Sequence, residues 1–267
     1  MSQEGRQKMR NRNTIGQKIY MFLVYAFLYA PIIVLMVFSF NESKTRGKWT
    51  GFSFKWYGEL MKDRAVLEAL RNTLTVAVVA TIIATLIGTF AAVGIMAYKR
   101  KSRKLLLAIN EIPVLNPDIV IAVGLMVLFT AVKMEFGMFT LILSHIVFTI
   151  PYVILSILPK LKMMDLNLSE AAMDLGATPL QTLFLVIIPE IKQGIVAGAM
   201  MAFTLSIDDF VISFFTKGRG LNTLSTTVYS MARKGINPTI NAVSTIMFIV
   251  TIVLLVVVYK KTDEKEL

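Results

Sequence analysis

The run Asn167-Leu168-Ser169-Glu170-Ala171-Ala172-Met173-Asp174-Leu175-Gly176-Ala177-Thr178-Pro179, closed by Val186-Ile187-Ile188-Pro189, decides how this chain is read. It lies between two long apolar segments, roughly 138–159 and 193–215. Asn167 is placed to cap a short helix, with Glu170 three residues on closing a capping box, and Gly176 is suited to end that helix in the left-handed conformation. Thr178 then caps a second helix with Pro179 at its first position. Leu168, Ala171, Ala172 and Leu175 fall at i, i+3, i+4 and i+7, giving one apolar face with small residues at its middle. A partner surface can approach such a face closely.

Working outward, the surroundings are those of a membrane protein. Of 267 residues 55% are hydrophobic, and the mean hydropathy is +0.66, far above an ordinary soluble domain. A spanning helix needs about 20 mostly apolar residues. Six stretches qualify: 19–40, 72–98, 105–132, 138–159, 193–215 and 240–259. The first is too long for a signal-peptide core and lacks a small-x-small cleavage site, so it reads as a retained span.

The net charge of +11 follows the span ends. Arg6, Lys8, Arg10, Arg12 and Lys18 precede the first span, and Lys99-Arg100-Lys101-Ser102-Arg103-Lys104 joins the second to the third. By the positive-inside rule these are cytoplasmic. Both termini then lie in the cytoplasm, as tails 1–18 and 260–267, together with the loop 160–192. Nucleic acid is excluded as a partner because the basic clusters mark span ends instead of forming a fold of their own. The absence of cysteine rules out disulfides and thiolate metal sites, and one histidine rules out a multi-histidine centre.

Acidic residues inside spans cost on the order of 3 kcal/mol each at a helix centre, so they face a partner or a watery cavity. Counted along straight helices from the cytoplasmic end, Glu111 lies about 9 Å in, Asp118 about 20 Å and Asp208 about 23 Å. Asp118 and Asp208 are thus expected at similar depth. Asp208 and Asp209 point about 100° apart on a helix, so one is expected to face a path and the other to bind a neighbouring amide, serine or basic group. Carboxylates near Phe210, Phe214 and Tyr229 suit an organic cation. Asp118, Asp208, Asp209 and Glu111 are the path candidates, and a structural role as caps or interface holders stands beside that reading for each. His145 reads as a hydrogen-bonded packing histidine, with a proton relay as the alternative. The sixteen methionines read as packing. Pro113, Pro117 and Pro151 each invite a kink. The aromatics of Trp49 to Tyr57 read as an interfacial belt or as a contact surface for a secreted protein.

The spacing E-A-A-x3-G-x9-Φ-x-Φ-P, with Φ apolar, resembles the cytoplasmic coupling loop of permease subunits of binding-protein-dependent ABC importers. Here Val186 and Ile188 stand where that pattern has Ile and Leu, which keeps the face apolar. Lys55-Trp56-Tyr57, Asn116-Pro117-Asp118-Ile119-Val120, Ser144-His145-Ile146, Phe203-Thr204-Leu205-Ser206-Ile207-Asp208-Asp209 and Tyr229-Ser230-Met231 extend the resemblance over nearly the whole chain, to the spermidine/putrescine importer permeases. The resemblance implies an all-α, six-span protein of the type I importer fold, with residues 19–259 as its permease domain, in the bacterial inner membrane. It also implies a related second permease in a heterodimer, two cytoplasmic ATPases that bind ATP and Mg, and an extracytoplasmic polyamine-binding protein. The docking residues it implies are Glu170, Ala171, Ala172, Leu175, Gly176 and Pro189. The chain has no phosphate-cradling Gly-x4-Gly-Lys-Ser/Thr loop, so it is expected to be a non-catalytic subunit without a cofactor of its own. Another small cation or metal-bearing ligand is the alternative cargo. An ion-coupled carrier or an intramembrane aspartyl hydrolase leaves the docking loop unexplained.

Overall fold

The computed structural model describes residues 15–44, 48–234 and 238–263. Arg6, Lys8, Arg10 and Arg12 of the basic tail, and the last four residues of the C-terminal tail, lie outside them. The described residues are all helical apart from loops and one isolated antiparallel bridge, Asn41 with Phe52. The helices are α1 Ile15–Ser39, α2 Lys55–Leu60, α3 Arg64–Ala97, α4 Arg100–Leu115, α5 Asp118–Ala131, α6 Met138–Met163, α7 Leu166–Asp174, α8 Pro179–Glu190, α9 Lys192–Asp208, α10 Val211–Thr216, α11 Leu224–Lys234 and α12 Thr239–Asp263.

Among the described residues, α1, α3 and α6 are long and apolar enough to cross a bilayer by themselves, and up to five spans result if each bent helix pair counts as one. All six expected stretches fall on helix, but two are not single helices. The stretch 105–132 is α4 and α5, bent by 102° at Asn116 and Pro117. Pro117 cannot donate a backbone bond, and its ring forces Asn116 into the extended conformation observed, φ −85° and ψ 145°. Pro113 and Pro151, also expected to kink, leave α4 and α6 continuous. The stretch 193–215 breaks at Asp209, which is extended at φ −63° and ψ 126°.

The chain divides into two compact units, residues 1–62 with 234–249, and residues 63–233 with 250–267. In the first, the loop after α1 folds onto α2. Trp56 is 1% exposed and its indole N–H donates to the Asn41 carbonyl at 2.6 Å. Asn41 in turn donates to the Lys48 carbonyl at 2.8 Å and accepts from the Thr50 amide at 3.0 Å. The Phe40 ring meets Phe52, Phe54 and Tyr57 at 5.2, 5.4 and 5.3 Å. The aromatics are therefore not a uniform belt: Trp56 is the centre of a small folded knot, while Trp49, Phe52 and Phe54 stay exposed.

The second unit is built on α3, α6 and α9. Facing small residues let these helices approach closely: Ala80, Ala84, Gly88 and Ala92 on α3, and Gly194, Gly198, Ala202 and Ser206 on α9, each set spaced by four and buried. Between them lies Val153 of α6, fully buried. A Cβ at Gly88 would stand 2.9 Å from the Val153 Cβ, and one at Gly198 would stand 3.2 Å from the Val153 Cα. Such stripes are how helices pack where lipid removes the hydrophobic drive between them.

Candidate functional site

Two regions of the larger unit carry the chemistry singled out in the sequence. The first is the segment between α6 and α9. Met164 leaves α6 in extended conformation, and the Asp165 carboxylate accepts from the Asn167 amide at 3.0 Å. Asp165, not Asn167, is thus the cap of α7, and Glu170 is an exposed mid-helix residue instead of the partner in a capping box. The cap moves because only Met164 and Asp165 separate the two helices. The far end forms as the sequence implies. Gly176 has φ +91°, its amide donates to the Met173 carbonyl at 2.9 Å, and the Ala177 amide donates to the Ala172 carbonyl at 3.1 Å. That pair of bonds is a Schellman cap. Thr178 caps α8, and Gln181 returns the bond to the Thr178 amide at 2.8 Å.

Of the expected apolar face, Leu168, Ala171 and Leu175 are exposed and Ala172 is half-buried, with Leu175 at 91%. Leu180 and Leu185 add further exposed apolar surface. Pro189 is exposed too, and the π-helical turn over Leu183–Ile187 precedes it. A proline there strands the carbonyl of Leu185, and a wider turn relieves the clash. α8 then meets α9 at a 72° bend. The bend residue Ile191 is fully buried and packs in the core with Ile154, Ile157 and Leu161.

The second region is the break after α9. Asp209 accepts from the Ile212 amide at 3.0 Å and the Ser213 amide at 2.7 Å. It thereby satisfies amides of α10 that have no partner within that helix. Its Oδ2 lies 3.5 Å from His145 Nε2, with the two side chains 5% and 1% exposed. His145 Nδ1 and Ser206 Oγ share a hydrogen bond of 2.7 Å, and Nε2 and Ser213 Oγ one of 3.1 Å. Thr140 Oγ1 also donates to the Thr216 carbonyl at 3.0 Å. One histidine therefore stitches α6 to the helices on both sides of the break. Ser206 and Ser213 were not singled out as its partners in the sequence; their positions seven residues apart, flanking the Asp pair, were the available signal.

Asp208 differs from its neighbour. It is exposed and ends α9, where the last four carbonyls lack intrahelical partners and carry partial negative charge. Phe210, Phe214 and Tyr229 come together beside the break, with ring centroids 5.4, 4.7 and 6.0 Å apart. Asp118 is also exposed, in the first turn of α5. It lies within electrostatic reach of the Tyr152 hydroxyl. Tyr152 packs with Ala122 of α5, Leu205 of α9 and Ile212 of α10 in one apolar cluster. Asp118 and Asp208 thus sit on elements that converge on that cluster, while the depth count along a straight 105–132 helix does not hold. Glu111 is exposed on α4, before the bend.

Comparison with known proteins gives the same architecture. The chain is 38% identical over 237 residues, covering 89% of it and 90% of the relative, to the spermidine/putrescine transport system permease protein PotC of Escherichia coli strain K12. It is 39% identical over 236 residues, covering 86% and 84%, to the putrescine transport system permease protein PotI of the same strain. Among solved structures it superposes on a bacterial ABC transporter involved in the import of the acidic polysaccharide alginate, with a TM-score of 0.74 at 17% identity and 99% of both chains covered. It also superposes on the MetNI methionine ABC transporter, with a TM-score of 0.63 at 19% identity over 77% of this chain and 95% of that one. The type I importer permease fold, non-catalytic and multi-pass, is therefore the fold of this chain. Residues 84–263 match the model of the binding-protein-dependent transport system inner membrane component, and the chain belongs to that family.

Proposed function

We propose that this chain is one half of a heterodimeric pore that imports polyamines, spermidine or putrescine, by alternating access. The observation that carries the cargo is the exposed Asp208 carboxylate at the carboxyl end of a broken helix, two residues before Phe210, whose ring clusters with those of Phe214 and Tyr229. Carboxylate, free carbonyls and aromatic faces all favour an ammonium group over an anion. The kinship with polyamine permeases supports the same cargo.

In this reading Asp118 and Asp208 stabilise the passing cation weakly enough to let it leave. Asp209, held by two amides, shapes the break they border. Glu111 lies on the cytoplasmic side of the path. The exposed face of Glu170, Ala171, Ala172, Leu175 and Gly176, with Pro189 beyond it, docks one of two cytoplasmic ATPases that bind ATP and Mg. Closure of the ATPases moves α7 and α8, and Ile191, buried at the junction with α9, passes that movement to the core. A polyamine-binding protein delivers the cargo from the far side, and both termini lie in the cytoplasm.

ATP-dependent uptake of labelled putrescine and spermidine into vesicles carrying the assembled importer tests the proposal. Saturable uptake that requires the binding protein and is outcompeted by unlabelled polyamine is expected. An assembled complex that hydrolyses ATP without taking up polyamine would overturn the cargo.

A further inference from the structure

A cavity of about 390 Å³ lies where α3, α4 and α6 meet, lined by Arg100, Arg103, Lys104 and Lys162 together with Met96, Leu107, Leu161 and Met164. Its two halves differ in chemistry. Met96, Leu107, Leu161 and Met164 belong to the main apolar core. Arg100, Lys104 and Lys162 are exposed and Arg103 is half-buried. Among the described residues no carboxylate forms an ion pair with any of the four cations; Arg103 instead points Nη1 at the Met96 sulfur, 4.0 Å away. The acidic neighbour in sequence, Asp165, directs its carboxylate to the Asn167 amide.

Location narrows the anion. α3 and α6 are spanning helices, and the cavity adjoins their last residues, Ala97 and Met163. That is the level at which hydrocarbon gives way to headgroups. From the cavity, Leu105, Ile109 and Ile112 continue along one face of α4 at i, i+4 and i+7, all more than half exposed. A cationic pocket with an apolar track leading from it fits a molecule that is anionic at one end and hydrocarbon along its length. A free phosphate would use the pocket and leave the track bare.

We propose that this cavity binds the phosphodiester headgroup of an anionic membrane lipid, with its acyl chains along Leu105, Ile109 and Ile112. Four basic residues without an ion-pair partner among the described residues surround a small cavity and supply charge-assisted bonds to phosphate oxygens, and basic pockets between spanning helices are suited to such headgroups. The site is independent of the cargo and of the path residues.

The purified importer complex, titrated in neutral detergent with phosphatidylglycerol or phosphatidylcholine and read by native mass spectrometry, tests this. Phosphatidylglycerol is expected to be retained in preference. The double variant Arg103→Gln/Lys162→Gln should weaken it about twenty-five-fold, a factor of roughly five for each basic residue. Arg64→Gln/Arg71→Gln, which removes equal charge near the other end of α3, about 37 Å or more along the helix from Met96 at 1.5 Å per residue, should leave it within about twofold in physiological salt. If the first pair fails to assemble, Lys104→Gln alone gives the same readout at about a fivefold loss. Equal retention of the two lipids, or equal loss in the two double variants, would overturn the proposal. Displacement of phosphatidylglycerol by inorganic phosphate, with no gain from the acyl chains, would overturn the lipid source and leave a free-phosphate site.

Discussion

Asp208 and Asp209 are adjacent and chemically identical, yet the helix break gives them opposite surroundings. Asp209 is spent on the Ile212 and Ser213 amides and lies beside His145, whereas Asp208 ends α9 in the open. Their substitutions should therefore separate. Asp208→Asn is expected to lower uptake while leaving the yield and melting temperature of the complex unchanged; normal uptake in a normally assembled complex would remove it from the path. Asp209→Ala leaves two buried-side amides and a histidine without their partner, and should cost about 1–3 kcal/mol of stability, read as a lower melting temperature. From the sequence it was legible that the two carboxylates could not share a role. Which one faces outward was not, because that depends on where α9 stops, and α9 stops through bonds Asp209 makes to residues that follow it.

At the scale of elements, the segment between α6 and α9 follows its local rules at the end of α7 and the start of α8 but not at the start of α7. Gly176 at φ +91° is the position where a side chain is most restricted, since the left-handed region costs an L-residue roughly 1–2 kcal/mol. Gly176→Val is expected to fray α7 and reduce the amount of ATPase that co-purifies with the permease, with little effect on membrane insertion; undiminished ATPase recovery would argue against docking through α7. Thr178 and Pro179 set the start of α8 as their types imply, because capping is decided within four residues. The N-terminal cap was misplaced for the complementary reason. Asp165 and Asn167 are both good caps, and the choice between them is made by the extended Met164 where α6 ends. The 102° bend at Pro117 shows the same limit. Proline announces an interruption, but the angle comes from what α5 packs against.

At the scale of the molecule, apolarity identified the spans, and a second pattern, small residues every fourth position on α3 and α9, fixes how two of them pack. Gly198→Leu must push the Val153 backbone aside, since even a Cβ there stands 3.2 Å from its Cα. Overpacking of this kind is expected to cost about 1–3 kcal/mol or more, seen as reduced yield of assembled complex and a lower melting temperature, with Gly198→Ala milder. The pattern stands in the sequence but was not singled out there, because hydropathy registers how much a residue avoids water and not how little room it takes.

Val153, gripped from both sides by glycine, has a consequence for motion. Three helices packed backbone to backbone leave little slack for sliding, so α3, α6 and α9 are expected to travel as one rigid beam. Angular change is left to the three places where the beam's neighbours are jointed: Asn116–Pro117, Ile191 and Asp209–Phe210. Paired spin labels across α6 and α9 should keep one separation through the whole ATP cycle, while labels across any of the three joints should not. Those joints flank the exposed Asp118 and Asp208 and the α7–α8 face proposed to dock the ATPase, so within the larger unit the pivots coincide with the proposed working ends.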